Sequence, residues 1–162
     1  MFRIPVSISV PIRVPGYILN LGAAVLTVLF STGLHAAPEV VVTNAWIRAT
    51  VPAQKSTGAF LTIESSETAR LVAASTPVAQ VTELHVMKSS DGIMRMRATP
   101  AVELPANQTV ELAPGGTHVM LMGLKAQVAD GQFVPMSLTI EAGDGSRTTV
   151  QLQVPVRPIT TK

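Results

Sequence analysis

Two histidines and a group of methionines offer the clearest chemistry in this sequence. Beyond residue 36 the chain has His85, His118 and six of its seven methionines. Five of those methionines lie within residues 87–122, close to both histidines in the sequence. Imidazole nitrogen and thioether sulfur form a soft, uncharged ligand set, which favours Cu(I) over Mg²⁺, Ca²⁺ or Mn²⁺. This region is therefore a candidate copper site.

The absence of cysteine narrows the chemistry further. The 162 residues contain none, so they offer no disulfide, zinc–thiolate site or thiol nucleophile. A blue-copper electron-transfer centre also needs a thiolate. No nucleophile–base pair or carboxylate pair is evident, and two histidines with neutral partners give no acid–base constellation. These features predict a protein that holds and hands over Cu(I), and not an enzyme.

One predicted strand explains how three of these side chains reach the same place. In "THVMLMG", residues 117–123, His118, Met120 and Met122 occupy every second position. Alternate residues of a strand face the same side, about 7 Å apart along the backbone. A plain core strand would carry Val, Ile or Leu there, so the pattern favours a shared site.

A predicted hairpin carries the other candidates. The runs "VTELHVMK" and "GIMRMRA" fall within residues 81–98 and are joined by "SSDG", a hairpin-type turn. His85 and Met87 alternate on the first run, and Met94 and Met96 alternate on the second. We therefore expect these four side chains to lie near each other.

Core packing is the competing interpretation, because Met readily fills gaps in cores. Met136, in "VPMSL", is predicted to be a core residue. Met94 and Met122 are predicted to pack in the core or beside the site rather than to bind metal. Met87 is either a loose additional ligand or a surface neighbour. From the pattern alone, a metal site built on the two histidines and a metal-free packed cluster both stay open.

Other residues near the candidate site have two interpretations each. Trp46, the single tryptophan, is predicted to be a core residue, with a lining role near the metal as the alternative. Glu83 shares the face of His85 and is either a solvated charge or an acceptor that orients the imidazole. Arg95 and Arg97 alternate with the methionines, so they are predicted to face solvent, where an acidic partner is a further possibility.

The surrounding chain predicts an all-β domain. Nine strands are predicted, at 39–50, 59–65, 69–76, 81–88, 92–98, 108–112, 117–123, 134–142 and 147–156. Short strands at regular spacing, with Gly, Pro and Asp between them, are typical of an antiparallel sandwich or barrel. Only "GLKAQVADGQ" is compatible with a helical turn, and no repeat or second domain is evident.

The first 36 residues have the order of a secretory signal. Arg3 and Arg13 precede an apolar run, Tyr17–Phe30, and small residues then lead to Ala36. We predict cleavage after Ala36, with Ala37 and an uncleaved anchor as alternatives. The apolar run is shorter than the ~20 residues that span a bilayer.

Charge does not indicate a nucleic-acid partner. Residues 37–162 carry ten basic and ten acidic residues, so the predicted mature domain has no net charge. It also lacks a Lys or Arg cluster of the kind that nucleic acids require.

The spacing of four residues resembles a known motif. Ten residues separate His85 from Met96, twenty-one separate Met96 from His118, and one separates His118 from Met120. The pattern His-x10-Met-x21-His-x-Met is that of the periplasmic copper chaperones of the PCu(A)C type. Similar runs extend over nearly all of residues 37–162; they include "AWIRAT", "GAFLTI", "ELH", "LAPGGTHVML" and "GLKAQVADGQFVPMSLTIEAG".

The resemblance implies a fold, a ligand set and a role. It implies a cupredoxin-like Greek-key β-sandwich or barrel that binds one Cu(I) through His85, Met96, His118 and Met120. It implies a periplasmic protein that delivers copper to a copper centre of cytochrome c oxidase, alongside a Sco-type thiol chaperone. We expect a monomer, although the sequence leaves the oligomeric state open. The tail "VRPITTK" lacks the His- and Met-rich extension that some members use for Cu(II), and Val86 stands where some carry Met.

Three alternatives to copper delivery stay open from the sequence. They are copper storage or detoxification, a redox carrier or copper enzyme, and a metal-free periplasmic binding module whose methionines serve only for packing.

Overall fold

The computed structural model describes residues 38–90 and 93–158, with the side chains of residues 89 and 90 left aside. Ten strands form this part of the chain. They are β1 (Val40–Arg48), β2 (Ser56–Ser65), β3 (Ala69–Ser75), β4 (Val81–Ser90), β5 (Ile93–Ala98), β6 (Val102–Leu104), β7 (Thr109–Leu112), β8 (His118–Met122), β9 (Phe133–Ala142) and β10 (Arg147–Arg157). The all-β prediction is confirmed.

The strands pair in one continuous order that folds into two layers. The order is β5-β4-β8-β2-β1-β10-β9-β3-β6, with β7 also paired to β2. All pairs of this path are antiparallel except β1 with β10, which pair in parallel at Ile47↔Val156 and Arg48↔Arg157. This parallel contact joins the layer that carries β8 and β4 to the layer that carries β9 and β3.

Alternation along the strands separates a buried core from an outer face. In β8, Val119 and Leu121 are fully buried, whereas Met120 and Met122 are only half-buried. In β4, Leu84 is buried between Glu83 and His85. The largest fully buried side chains are Ile47, Ile63, Leu71, Leu104, Leu112, Leu121, Met136, Leu138 and Ile140. The core prediction for Met136 is therefore confirmed.

A β-bulge changes the direction of the side chains in β1. The register passes from Thr43↔Thr62 to Trp46↔Phe60, so two residues of β1 oppose one residue of β2. Asn44, inside the bulge, has φ of 51°, a left-handed conformation that Asn adopts more readily than most residues. The additional residue reverses the alternation, as bulges do. Ile47 consequently enters the core, and Trp46 and Arg48 lie on the outer face.

The predicted strands match the observed ones to within about two residues at each end, apart from the start of β2. β2 begins at Ser56, three residues before the prediction, and the short strand β6 was not predicted. The run "GLKAQVADGQ" holds no helical turn. None of the described residues forms a helix that could cross a bilayer. The predicted signal, residues 1–36, lies outside the described residues.

Candidate metal centre

Cross-strand register brings the two histidines together. β4 and β8 pair so that His85 lies directly opposite His118. Their ring centroids are 5.9 Å apart, with an angle of 60° between the rings. Both rings stand on the outer face, away from Leu84 and Val119 in the core. Residues 33 positions apart in the sequence thus offer two imidazoles to one location.

One nitrogen of each imidazole ring is hydrogen-bonded to a neighbouring oxygen. His85 Nε2 donates to the Glu83 carboxylate at 2.9 Å, and His118 Nδ1 donates to the Gly116 carbonyl at 2.9 Å. Since both partners only accept, the other nitrogen of each neutral ring carries a lone pair. His85 Nδ1 is buried and has no hydrogen-bond partner among the described residues. An imidazole fixed by a carboxylate or carbonyl acceptor is the usual arrangement of a metal-binding histidine.

This result decides between the two interpretations of Glu83. Its side chain is 43% exposed, yet its carboxylate accepts from His85. Alternation had placed it on the correct face, and the hydrogen bond shows that it orients the ring.

The hairpin of β4 and β5 supplies thioethers on the same face. Met96 lies opposite Met87, and Ala98 lies opposite His85. β5 is the edge strand of its layer, and all six of its residues are exposed. Met96 is 48% exposed.

A pocket of about 270 Å³ unites three of the four predicted ligands. Met96, His118 and Met120 line it, and His85 adjoins it through its contact with the His118 ring. The remaining lining residues are Arg48, Gln54, Ser56, Thr57, Gly58, Phe60, Pro114 and Gly115. The strand register and the pocket therefore bring all four predicted ligands into one region. That these four side chains together bind a metal ion stays a prediction.

The donor set of this region is soft and uncharged. Within residues 38–90 and 93–158, no three His, Cys, Asp or Glu side chains form a group that could hold a metal ion. A metal at this location would consequently need the methionine sulfurs, which select a soft cation such as Cu(I). The unpartnered lone pair of His85 and the nearby thioethers fit that cation.

A row of rings extends from the histidines across the outer face. The Phe60 ring lies 6.1 Å from His118 and 4.6 Å from Trp46, centroid to centroid. Arg48 lies over Phe60 with its Cζ 5.6 Å from the ring centre, and Arg157 lies over Trp46 at 6.0 Å. These distances are typical of cation–π contacts.

One prediction about a neighbouring residue was wrong. Trp46 is not a core residue, because the bulge at Asn44 turns it to the outer face, where it is half-buried. Met94 is 54% exposed on the edge strand β5, which excludes core packing, and a place beside the site stays a prediction.

Met122 is half-buried on β8, and Met87 is half-buried opposite Met96, so their places relative to the candidate site stay predictions. Arg95 and Arg97 are exposed, as predicted.

Comparison with known proteins places the chain in a family. The family model described as "Putative lipoprotein LpqE-like" matches residues 40–156. The chain belongs to this family. A relative described as "Putative lipoprotein Lxx21020", from Leifsonia xyli subsp. xyli (strain CTCB07), is 37% identical over 121 residues. The match covers 73% of this chain and 70% of the relative.

Solved structures share the fold. The Cu(I)-bound form of DR1885 from Deinococcus radiodurans is 34% identical, with a TM-score of 0.55, over 78% of this chain and 83% of that one. A copper-bound PCuAC domain from PmoF2 is 18% identical, with a TM-score of 0.56, over 75% and 97% of the two chains. The predicted cupredoxin-like fold is confirmed.

Arg48 is among the pocket residues that the sequence did not predict. Simple alternation along β1 would not bring Trp46 and Arg48 to the outer face. A signal was present, because Asn is disfavoured inside strands and Asn44 interrupts an otherwise apolar and β-branched run.

Proposed function

We propose that this protein is an exported copper chaperone that binds one Cu(I) through His85, Met96, His118 and Met120. The observation that carries the proposal is the pair of opposed imidazoles. One nitrogen of each ring is held by Glu83 or Gly116, His85 Nδ1 is buried without a hydrogen-bond partner among the described residues, and the two ring centroids lie 5.9 Å apart. The Cu(I)-bound relative and the copper-bound PCuAC domain support the choice of metal.

Neutral ligands suit a protein that releases its cargo. Two imidazoles and two thioethers add no negative charge, so they favour the monocation Cu(I) over divalent Zn²⁺ or Cu²⁺. The half-exposed Met96 lies on an edge strand. A ligand from an acceptor protein can therefore replace its sulfur while the histidines still hold the ion. No redox change or acid–base step is needed, and the protein acts as a carrier rather than an enzyme.

A competition titration tests the binding proposal. Residues 37–162 are titrated with Cu(I) against a chromogenic chelator, and one ion per chain is expected. His118→Ala should weaken binding by more than about tenfold, since it removes one of four ligands. Met136→Leu is the matched control, because Met136 lies in the core and is 2% exposed. Equal binding by the wild type and His118→Ala would refute the site.

We further propose that the recipient is a copper centre of cytochrome c oxidase, in the periplasm, with a thiol chaperone as a second partner. The support is the motif resemblance together with the fold. The expected result of deleting the gene is an oxidase deficient in copper and rescued by added copper. Normal oxidase activity combined with copper sensitivity would favour storage or detoxification instead.

A further inference from the structure

Among the described residues, Arg48 is the one Lys or Arg that lines the pocket of the proposed ligands. It reaches the pocket because the bulge at Asn44 reverses the alternation of β1. Its guanidinium lies over the Phe60 ring, 5.6 Å from the centroid, and that ring lies 6.1 Å from His118. The charge is therefore positioned by packing next to the proposed ligands.

No described carboxylate neutralises Arg48. The ion pairs of the described residues join Arg70 and Arg147 to Glu141, and His85 to Glu83. A guanidinium without a carboxylate partner in a partly enclosed pocket is a suitable site for an external anion, because the local dielectric is lower than in bulk water.

Two polar side chains of the pocket, Gln54 and Thr57, already have hydrogen-bond partners. Gln54 accepts from the Val51 amide and donates to the Ser56 carbonyl. The Thr57 hydroxyl donates to the Arg48 carbonyl at 2.7 Å. Arg48 is thus the strongest free donor beside Met96, His118 and Met120 in the described part of the pocket wall.

We propose that Arg48 recruits the thiolate of a copper-exchange partner into this pocket. The inference rests on the proposed function, since it concerns how copper leaves or enters the site. A thiolate is the side chain that combines negative charge with the softness that Cu(I) prefers. A nearby cation also favours the thiolate over the thiol. The pocket thereby selects a cysteine-bearing partner over one that presents only neutral ligands.

The exchange step needs no oxidant or reductant. The incoming thiol loses its proton to solvent, and the thiolate forms a sulfur–copper bond. The bond between Met96 and copper breaks as the new bond forms. Copper stays Cu(I) throughout, and the thioether leaves as a neutral group.

Two acceptors of different charge test the proposal. The Cu(I)-loaded protein is mixed anaerobically with dithiothreitol, which reacts as a thiolate, or with neocuproine, a neutral chelator. The increase in absorbance of the Cu(I)–thiolate complex and of the Cu(I)–neocuproine complex gives the rate of copper transfer to each acceptor. Arg48→Gln should slow transfer to dithiothreitol by about five- to tenfold and change transfer to neocuproine by less than about twofold. The dithiothreitol effect should shrink at high salt.

Arg157→Gln is the matched control. Arg157 also lies over an aromatic ring, Trp46, but it does not line the pocket. Both rates should stay within about twofold of the wild type in this variant. Arg48→Lys should retain most of the dithiothreitol rate, because it keeps the charge.

The outcomes separate this proposal from the function beneath it. Equal slowing of both acceptors by Arg48→Gln would mean that Arg48 acts through packing on Phe60, and unchanged rates would mean that it does not recruit an anion. Either result overturns the inference and leaves the copper site standing. A wild-type protein that binds no Cu(I) overturns both.

Discussion

At the scale of single residues, the candidate site is defined by what holds the histidines. Glu83 fixes His85 by a side-chain carboxylate, and Gly116 fixes His118 by a backbone carbonyl. Sequence alternation could predict that Glu83 shares the face of His85. It could not predict the Gly116 carbonyl, because the conformation of the Ala113–Gly116 turn decides where that oxygen points.

Removing the Glu83 carboxylate is expected to weaken copper binding without removing a ligand. Glu83→Ala frees the His85 ring to rotate, and the Cu(I) affinity should fall by about tenfold, as for other groups that orient metal ligands. Glu83→Gln keeps an acceptor oxygen and should recover part of the loss. Competition titration measures both variants.

Glu103→Ala is the control for this prediction. Glu103 is exposed on β6, at the edge of the other layer, so its removal should leave the affinity unchanged. An affinity of Glu83→Ala equal to that of the wild type would show that His85 needs no anchor.

At the scale of strands, the cross-strand register and one β-bulge determine which side chains lie at the candidate site. The β4–β8 register aligns His85 with His118, and the hairpin spacing places Met96 on their face. The turn residues and the alternation predicted the hairpin correctly. The bulge at Asn44 was not predicted, because one residue added to a strand reverses every later side chain. For that reason the sequence placed Trp46 in the core.

The bulge makes a specific stability prediction. Asn44 has φ of 51°, and a β-branched residue in this conformation costs about 1–2 kcal/mol. Asn44→Val should lower the free energy of unfolding by about that amount, whereas Asn44→Gly should be nearly neutral because Gly adopts positive φ freely. Urea unfolding measures the difference. Equal stability of the two variants would argue that the bulge moves elsewhere in β1.

At the scale of the whole molecule, acid sensitivity is expected in the layer that does not carry the candidate site. Glu141 in β9 binds Arg147 of β10 and Arg70 of β3, and thereby joins three strands. Hydrogen bonds from Arg147 and Arg70 hold the pKa of Glu141 below its ordinary value of 4.5. A lowered carboxyl pKa stabilises the fold above the unfolded-state value, and this contribution is lost as the pH falls through the folded-state value.

Glu141→Gln should therefore reduce the acid dependence of stability. Its melting temperature should lie below that of the wild type at pH 7, and the two should converge as the pH falls through the lowered pKa of Glu141. Thermal unfolding followed by circular dichroism measures this difference. Glu67→Gln is the control, since Glu67 is exposed and forms no ion pair with a described residue. A constant difference between wild type and Glu141→Gln at all pH values would contradict the assignment.

The ring row on the outer face gives the protein a built-in optical reporter. Trp46 is the single tryptophan, and the single tyrosine, Tyr17, lies in the predicted signal. Fluorescence excited in the mature domain would thus come from one indole, whose ring is tilted by 38° against Phe60, and Phe60 in turn lies 6.1 Å from His118. Its emission intensity would register loading and unloading of the neighbouring site in real time, with no dye attached.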